Sequence, residues 1–390
     1  MKSKVALVKC RTYEEDQVSG SIASAVSLLG GLDKFVNKED RILLKPNLLS
    51  MSPPEKAATT HPAVFYGVGK LLREEGYEHL YYGDSSANHI LGLDRIAEGC
   101  GIKEKADDLG ILPEDFSQGD ETPFPEGHVA KKFVLCKGVL NTDSIINICK
   151  MKTHMLERVT GAMKNTFGCV YGFNKGVAHT KFPNADVFAK MIGDLNCLVK
   201  PKLHIMDGII AMEGNGPNSG TPTSMKLILA SADPVALDSL FCKLVNLDPK
   251  LVPTNVYGQE YGVGTYEDVE VITEDGKFTL EEAGQRFGNP DFDVERAVAL
   301  AKHLNGMRLL KIFFEKKPKL EKNNCIGCGI CVQCCPLGEK ALSLKKGDKI
   351  PIFDYKKCIR CYCCQEVCPE SAIYVKSSRL GKLIDRSWKI

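Results

Sequence analysis

The sequence lacks the features that mark membrane-spanning, secreted and nucleic-acid-binding chains. It contains no uninterrupted apolar run of about eighteen residues, and residues 1–10 alternate charged and apolar side chains instead of forming the apolar core of a signal peptide. The 51 basic and 49 acidic residues leave a formal net charge of +2, which gives no electrostatic case for nucleic acid. We therefore expect a soluble, cytoplasmic protein with no membrane span and no nucleic-acid partner.

Nucleotide fingerprints and a disulfide framework are missing as well. The glycine- and proline-rich stretch 212–222 has neither the G-x-G-x-x-G order of dinucleotide-binding proteins nor a P-loop lysine. Outside the C-terminal region, the cysteines are scattered without a pairing pattern, which is typical of a reducing compartment. These are Cys10, Cys100, Cys136, Cys149, Cys169, Cys197 and Cys242.

The C-terminal region carries the same four-cysteine motif twice, each copy with the spacing C-x2-C-x2-C-x3-C-P. In bacterial iron–sulfur proteins, the three close cysteines hold one [4Fe-4S] cluster and the fourth reaches the other cluster. The motif therefore predicts two clusters with crossed ligands. The first cluster would be bound by Cys325, Cys328, Cys331 and Cys368, and the second by Cys358, Cys361, Cys364 and Cys335.

Other uses of these cysteines fit the spacing less well. A zinc site would favour paired C-x2-C knuckles, and cysteines so close on one tight loop are poorly placed to form disulfides. Cys334 and Cys363 each lie beside a predicted ligand and are left over. They are interpreted as packing residues, with secondary ligation and redox chemistry as the alternatives.

The rest of the chain alternates short apolar runs with helical segments. Runs at 5–8, 42–44 and 79–82 are typical of buried strands, and segment 62–75 resembles a helix opened by Pro62. This order predicts an α/β domain with a mostly parallel sheet flanked by helices, followed by a small bacterial-ferredoxin-like α+β domain. The predicted divisions are 1–306 for the α/β domain, 307–322 for a basic linker, 323–376 for the double-cluster domain and 377–390 for a C-terminal tail.

Polar loops follow the predicted strands. Lys45 and Asn47 come after the run at 42–44, and Asp84 with His89 comes after the run at 79–82. In parallel sheets, ligands bind beyond the carboxyl ends of the strands. These side chains are therefore expected at a binding edge, together with Glu213 and Asn215 from the glycine- and proline-rich stretch.

The most unusual polar segment follows a predicted strand at 144–149. Its lysines and histidines are interspersed with glycines, with little acidic compensation. This composition favours a site for an anion, a phosphate or a carboxylate. A solvated basic loop with a satisfied histidine is the alternative. The candidate residues are Lys152, His154, Lys164, Asn165 and His179.

Taken together, these motifs resemble the family called domain of unknown function 362. The likeness rests on Lys45-Pro46-Asn47, Thr60-His61-Pro62, the segment 152–168 and the stretch 213–217, followed by the double-cluster module. It covers essentially the whole chain. The resemblance implies an iron–sulfur protein whose large domain has no broadly established reaction.

A more distant resemblance concerns part of the large domain only. His154, Lys164 and His179 are similar in order, spacing and glycine-rich setting to the segment of nickel-dependent lactate racemase that holds a nickel–pincer nucleotide. The resemblance implies that Lys164 matches the attachment lysine, His179 the metal-ligating histidine, and His154 and His89 the catalytic histidines. The sequence departs from that enzyme at Ala162 and Met163, and a racemase needs no ferredoxin module, so the comparison indicates a site but not its cofactor.

These observations lead to one functional hypothesis and two alternatives. The hypothesis is a redox protein whose two [4Fe-4S] clusters exchange electrons with a redox partner protein and with a small anionic substrate, a metal or an anionic organic cofactor in the α/β domain. Such clusters also suggest an anaerobic or well-reduced cell. In this hypothesis the lysines hold the anionic group, while the histidines move protons. The alternatives are an electron carrier or docking subunit without catalysis, and a metal or cluster maturation factor. The sequence leaves the oligomeric state open, a homodimer included.

Overall fold

The computed structural model describes residues 2–86, 91–297, 316–337, 341–344 and 348–376. These residues form a large domain around one ten-stranded sheet and a small C-terminal domain of short strands and helices. The predicted fold class, an α/β domain with a mostly parallel sheet plus a small α+β domain, is confirmed. Most of the predicted linker and the whole predicted tail lie outside the described residues, so the division at those points stays a prediction.

The described chain contains sixteen strands, several of them very short. In chain order they are β1 (Ser3–Lys9), β2 (Ile42–Pro46), β3 (Leu80–Tyr82), β4 (Leu112–Pro113), β5 (Gly119–Pro123), β6 (Lys132–Cys136), β7 (Ser144–His154), β8 (Arg158–Thr160), β9 (Leu203–Glu213), β10 (Thr221–Ser231), β11 (Val269–Thr273), β12 (Gly276–Phe278), β13 (Lys317–Leu320), β14 (Leu342–Ser343), β15 (Ile352–Phe353) and β16 (Ile373–Lys376).

The helices of the large domain lie between these strands. They are α1 (Glu15–Leu29), α2 (Pro62–Glu74), α3 (Gly92–Gly99), α4 (Ile102–Asp108), α5 (Lys137–Leu140), α6 (Ala162–Asn165), α7 (Asn174–Lys181), α8 (Ala185–Val199), α9 (Pro234–Leu244), α10 (Pro253–Glu260) and α11 (Leu280–Phe287). The C-terminal domain has two helices of one turn each, at Ile330–Gln333 and Cys363–Glu366.

The large sheet brings three strand ends together. Its order is β12-β11-β1-β10-β9-β7-β2-β3-β4, with β8 added at the end of β7. Strands β9, β7, β2, β3 and β4 pair in parallel, whereas β10 is antiparallel to both of its neighbours. The carboxyl ends of β7, β2 and β3 therefore open on the same edge, where ligands bind in sheets of this kind.

The side chains of β7 alternate between the two faces of the sheet, and the strand is longer than predicted. Ile146 and Ile148 pack in the core cluster that includes α1 and α2, while Cys149 and Met151 pack in the cluster on the opposite side of the sheet, which includes α9. Because side chains alternate along a strand, the next residues on the Ile146 face are the even-numbered ones from 150 to 154. The sequence predicted that the strand stops at residue 149, but it continues to His154 and every one of its residues is buried.

The C-terminal domain packs on the large domain through several hydrogen bonds. Its two-stranded sheets pair β13 with β16 and β14 with β15. Gln365 Nε2 donates to the carbonyl of Asn215 at 2.8 Å, and the Val375 amide donates to Asn215 Oδ1 at 3.2 Å. Asn218 Nδ2 donates to the carbonyl of Cys368 at 3.2 Å. The loop after β9 thus anchors the small domain beside the open edge of the sheet.

Candidate functional site

A cavity of about 350 Å³ lies between the open sheet edge and the C-terminal domain. The loops after β2 and β3 contribute Asn47 and Asp84 to its wall, and β7 contributes Lys152 and His154. Segments around α6 and α7 supply further residues, including Lys164, Asn165, Phe167, Gly176 and His179. The C-terminal domain closes the other side with Gln333, Cys334, Cys335, Pro336, Cys363, Glu366 and Val367.

His154, the last residue of β7, is held in one orientation. Its Nδ1 accepts hydrogen bonds from the backbone amides of Leu156 at 3.1 Å and Glu157 at 3.2 Å. Since Nδ1 is an acceptor, the proton of the neutral ring is on Nε2. Burial lowers the pKa of His154 to about 4, and Lys164 lowers it further, against an opposing effect of Glu366. The ring is therefore neutral at physiological pH and presents an N–H group.

Glu366 of the C-terminal domain faces that N–H group. Its Oε1 lies 3.1 Å from His154 Nε2, and both side chains are buried. Burial acts to raise the pKa of Glu366, but Lys164 and His154 together, with His179, hold it well below its usual range. An ionised carboxylate from one domain thus lies among the candidate catalytic residues of the other.

Lys164 lies on α6 and remains half-buried. Its Nζ is 5.9 Å from the ring centres of Phe167 and Phe188. Within the described part of the chain, no carboxylate lies within ion-pair distance of this ammonium group. Lys164 nevertheless affects the pKa values of Lys152, His154 and Glu366, so it is a central charge of the cavity.

His179 on α7 lines the same cavity through an aromatic contact. Its ring stacks on Phe188 with the centroids 4.6 Å apart and meets the edge of Phe167 at 5.8 Å. Burial lowers the pKa of His179 to about 4. This histidine is therefore also neutral at physiological pH, and its orientation is fixed by packing.

Asn47, Lys152 and Asn165 form the floor of the cavity. Lys152 Nζ donates to Asn47 Oδ1 at 2.7 Å and to the carbonyl of Ala58 at 2.5 Å, while Asn47 Nδ2 donates to Asn165 Oδ1 at 2.9 Å. Burial, followed by the charge of Lys164, lowers the pKa of Lys152 to about 7. These groups already bind one another, so their hydrogen-bonding capacity for a ligand is smaller than their sequence positions suggested.

Lys45 is buried behind the cavity and is not among the described residues that line it. Its ammonium group pairs with Asp84 Oδ1 at 2.8 Å in a buried position. A Cβ atom at residue 168 would lie 1.7 Å from the same carboxylate oxygen, so the pair requires glycine there. Lys175 approaches Asp84 from the cavity side and donates to the carbonyls of Ser85 and Ser86. Burial lowers the pKa of Lys175 to about 8.

Glu213 and Asn215, like Lys45, are predicted site residues that do not line the cavity in the described structure. Glu213 accepts a hydrogen bond from the amide of Asp293 at 2.9 Å, and Asn215 binds the C-terminal domain instead. Glu213 is the last residue of β9 and Asn215 follows it, because β9 extends past the strand end that was expected to form the wall. His89 lies outside the described residues, so its role stays a prediction.

The cysteines of the two motifs fall into two spatial groups. A small cavity is lined by Cys325, Cys328, Cys331 and Cys368. Burial raises the pKa of the Cys331 thiol, and the thiols of Cys368, Cys328 and Cys325 raise it further. Burial likewise raises the pKa of Cys364, followed by the thiols of Cys361, Cys358, Cys331 and Cys335. Each fourth cysteine therefore lies beside the other motif, which fits a pair of cubanes with crossed ligands.

Glu366 and Glu157 were missed by the sequence interpretation. Glu366 lies between Cys364 and Cys368 of the second cysteine motif, and its acidic side chain is the only feature of the sequence that could have indicated a role in the site. Glu157 is fully buried beside His154, and neither of its carboxyl oxygens has a hydrogen-bond partner in the described chain. Burial raises the pKa of Glu157 to about 8.

Comparison with known proteins identifies the two parts of the chain. The model of the family called domain of unknown function DUF362 matches residues 42–243, which is more than half of the chain. This chain belongs to the DUF362 family. A 4Fe-4S dicluster domain model matches residues 320–372 of the DUF362 protein. The predicted family resemblance and the iron–sulfur domain are confirmed.

This DUF362 protein is similar to a curated protein over most of the length of both chains. The thylakoid-associated protein sll1697 of Synechocystis sp. is 34% identical over 269 residues, which cover 67% of this chain and 81% of the relative. In the described residues of the DUF362 protein, no helix has the length and apolar character needed to cross a membrane.

Proposed function

We propose that this DUF362 protein is an oxidoreductase in which two [4Fe-4S] clusters exchange electrons with an anionic substrate or cofactor bound in the cavity. The observation that carries the proposal is the shared wall. His154, Lys164 and His179 line the same cavity as Cys335 and Cys363 of the cluster motifs. A cavity that joins ionisable side chains to cluster-bearing loops supports chemistry that combines electron and proton transfer.

The cysteine geometry supports two clusters with crossed ligands. The small cavity between Cys325, Cys328, Cys331 and Cys368 is lined by thiols on several sides, and Gly327 and Gly329 bring backbone amides close to it. Thiolates are the ligands that such clusters require, and nearby amides help to set their potential. When bound, the clusters supply one-electron transfer.

The other side chains of the cavity have separate proposed roles. Lys164 supplies a positive charge that binds the anionic group, and the neutral His154 presents its Nε2–H group as a hydrogen-bond donor. His179 forms a fixed aromatic wall with its imidazole available at the cavity. Phe167, Pro217 and Val367 supply apolar surface beside these groups, and an apolar surrounding strengthens electrostatic interactions.

Lys164 supports the proposal of an anionic ligand. Its ammonium group lines the cavity and offers donors that no carboxylate of the described chain occupies. The proposed cytoplasmic, well-reduced setting rests on the scattered thiols, since Cys10, Cys100 and Cys149 are free and buried.

Anaerobic purification followed by metal analysis and mass spectrometry of small molecules released on denaturation tests the proposal. The wild type should contain iron and sulfide for two clusters, about eight atoms of each, and an anionic small molecule. Lys164→Gln should lose the small molecule but keep the iron. Lys181→Gln is the matched control, because this exposed lysine belongs to the same segment but does not line the cavity.

Two results would favour the alternatives. A protein that passes electrons to a partner, retains no ligand and is unaffected by Lys164→Gln is an electron carrier. A protein that gives up iron or clusters to an acceptor protein is a maturation factor. The proposed enzyme should instead oxidise its reduced clusters only when an anionic substrate is added.

A further inference from the structure

The two predicted cluster sites have different positions relative to the cavity. Its wall includes Cys335, a predicted ligand of the second cluster, and Cys363, which lies between the ligands Cys361 and Cys364. Within the described chain, none of the four cysteines assigned to the first cluster contributes to that wall. The second cluster site therefore adjoins the ligand cavity, and the first does not.

The loops of the two motifs also differ in how they are covered. In the first motif, Gly327 and Gly329 adopt left-handed conformations with φ of 71° and 75°. The equivalent positions of the second motif are Arg360 and Tyr362, with φ of 62° and 64°. The backbone path is thus the same, but the first loop has no side chains where the second has two large ones.

The larger side chains shield the second loop. Tyr362 is only 7% exposed, and its hydroxyl donates to the carbonyl of Lys316 at 3.2 Å. In the first loop, Cys328 is exposed and the neighbouring Ile326 is 62% exposed. Cys368 of the first cluster site does contact the large domain, but through its backbone carbonyl to Asn218. The first cluster site is therefore open to an approaching molecule on the Cys325–Cys328 loop.

We propose that the two clusters have separate roles: the Cys325 cluster exchanges electrons with an external one-electron carrier protein at its exposed loop, and the Cys358 cluster exchanges them with the ligand in the cavity. This order rests on the proposed redox function. Electron-transfer rates fall steeply with distance, so the cluster at the cavity wall serves the ligand. Electrons then pass between the carrier and the cavity through both clusters in sequence.

Variants that change the charge near each cluster test the proposed order of electron transfer without a measurement of enzymatic turnover. Lys164 lines the same cavity as Cys335 and Cys363, whereas the exposed Lys322 lies three residues before Cys325, whose backbone amide donates to the carbonyl of Lys322. Removing a positive charge disfavours the reduced cluster, and net charge is one determinant of cluster potential. Lys164→Gln should lower the potential of the Cys358 cluster more than that of the other, and Lys322→Gln should do the reverse.

The two signals are separated by redox titration followed by electron paramagnetic resonance, with Cys335→Ser used to identify the Cys358 cluster. A soluble dysprosium chelate added to the reduced wild type gives an independent measurement of exposure. It should increase the relaxation rate of the Cys325 cluster more strongly than that of the Cys358 cluster. This second measurement needs no variant and therefore does not depend on the folding of one.

Equal effects of dysprosium on both clusters, or a Lys164→Gln shift confined to the Cys325 cluster, would overturn the proposed order. Failure of the proposed function has a different signature. The protein would then show the expected potential shifts and relaxation rates, but it would retain no anionic molecule and react with none. This result would support the order of the clusters and contradict the proposed substrate.

Discussion

Removal of the Glu366 carboxylate should loosen the contact between the two domains. In the native protein this buried group lies 3.1 Å from His154 Nε2, whose other nitrogen is engaged by two backbone amides. Glu366→Ala leaves the Nε2 proton buried without its partner. The two atoms are within ion-pair distance but are not aligned as a hydrogen bond, and leaving a buried polar group without its charged partner costs about 1–3 kcal/mol, so we expect a loss of about 2 kcal/mol.

Hydrogen exchange measured by mass spectrometry or NMR under anaerobic conditions reports this loss directly. The amides of Leu156 and Glu157 donate to His154, and the amide of Val375 donates across the interface to Asn215. If these amides exchange when the domains separate, a loss of about 2 kcal/mol raises their exchange rates about 30-fold. Amides in the centre of β9 should be unaffected, because they pair within the large sheet.

Two further variants isolate the cause. Glu366→Gln keeps an oxygen acceptor of the same shape and should have a smaller effect than Glu366→Ala. Glu321→Ala removes an exposed glutamate from the same domain and should leave the exchange rates unchanged. The reasoning is refuted if Glu366→Ala exchanges at the wild-type rate, or if Glu321→Ala produces an equal increase.

Three further outcomes are expected from the cysteines and from Glu157. Cys335→Ser should remove mainly the cluster of the other motif, measured as loss of about half of the iron together with one resonance signal; loss of the Cys325 cluster would contradict crossed ligation. Cys334→Ala and Cys363→Ala should keep full iron content with at most a shifted potential, whereas iron loss equal to that of a ligand variant would make them ligands. Burial raises the pKa of Glu157 to about 8 from an ordinary value of 4.5, so its contribution to stability falls as pH rises from 4.5 to about 8 and is constant at higher pH. Between pH 7 and pH 9, the free energy of unfolding measured with a chemical denaturant should fall by about 1.4 kcal/mol more in the wild type than in Glu157→Gln. An equal fall in both proteins would show that this carboxyl is ionised at pH 7.

The sequence predicted those features that depend on local spacing. The regular intervals of the cysteine motifs specify which thiols can surround a cubane, and alternating apolar and helical segments specify a parallel sheet with ligands at its carboxyl edge. That is why Lys152, His154 and Lys164 could be named before any contact was known. All three line the cavity of the folded protein.

What escaped prediction depends on contacts between distant parts of the chain. Glu366 reaches His154 only because the loop at Asn215 anchors the small domain, and no local pattern encodes that anchor. Lys150 directly follows the strand predicted at 144–149, but it is buried in β7 and donates to Asp207 at 2.7 Å. A lysine can extend a buried strand when a carboxylate lies opposite, and that partner is 57 residues away.

The two amide hydrogen bonds at His154 Nδ1 fix the proton of the neutral ring at Nε2. Protonation at Nδ1 would require both bonds to break, so the ring directs its Nε2–H group toward the C-terminal domain and does not relay a proton. The same domain carries Cys335 and Cys363 at the cavity wall. A separation of the domains would therefore leave the Nε2–H group without its charged partner and withdraw the cluster-bearing loops from the cavity in one movement, so the delivery of electrons to the cavity depends on the same contact that holds Glu366 against His154.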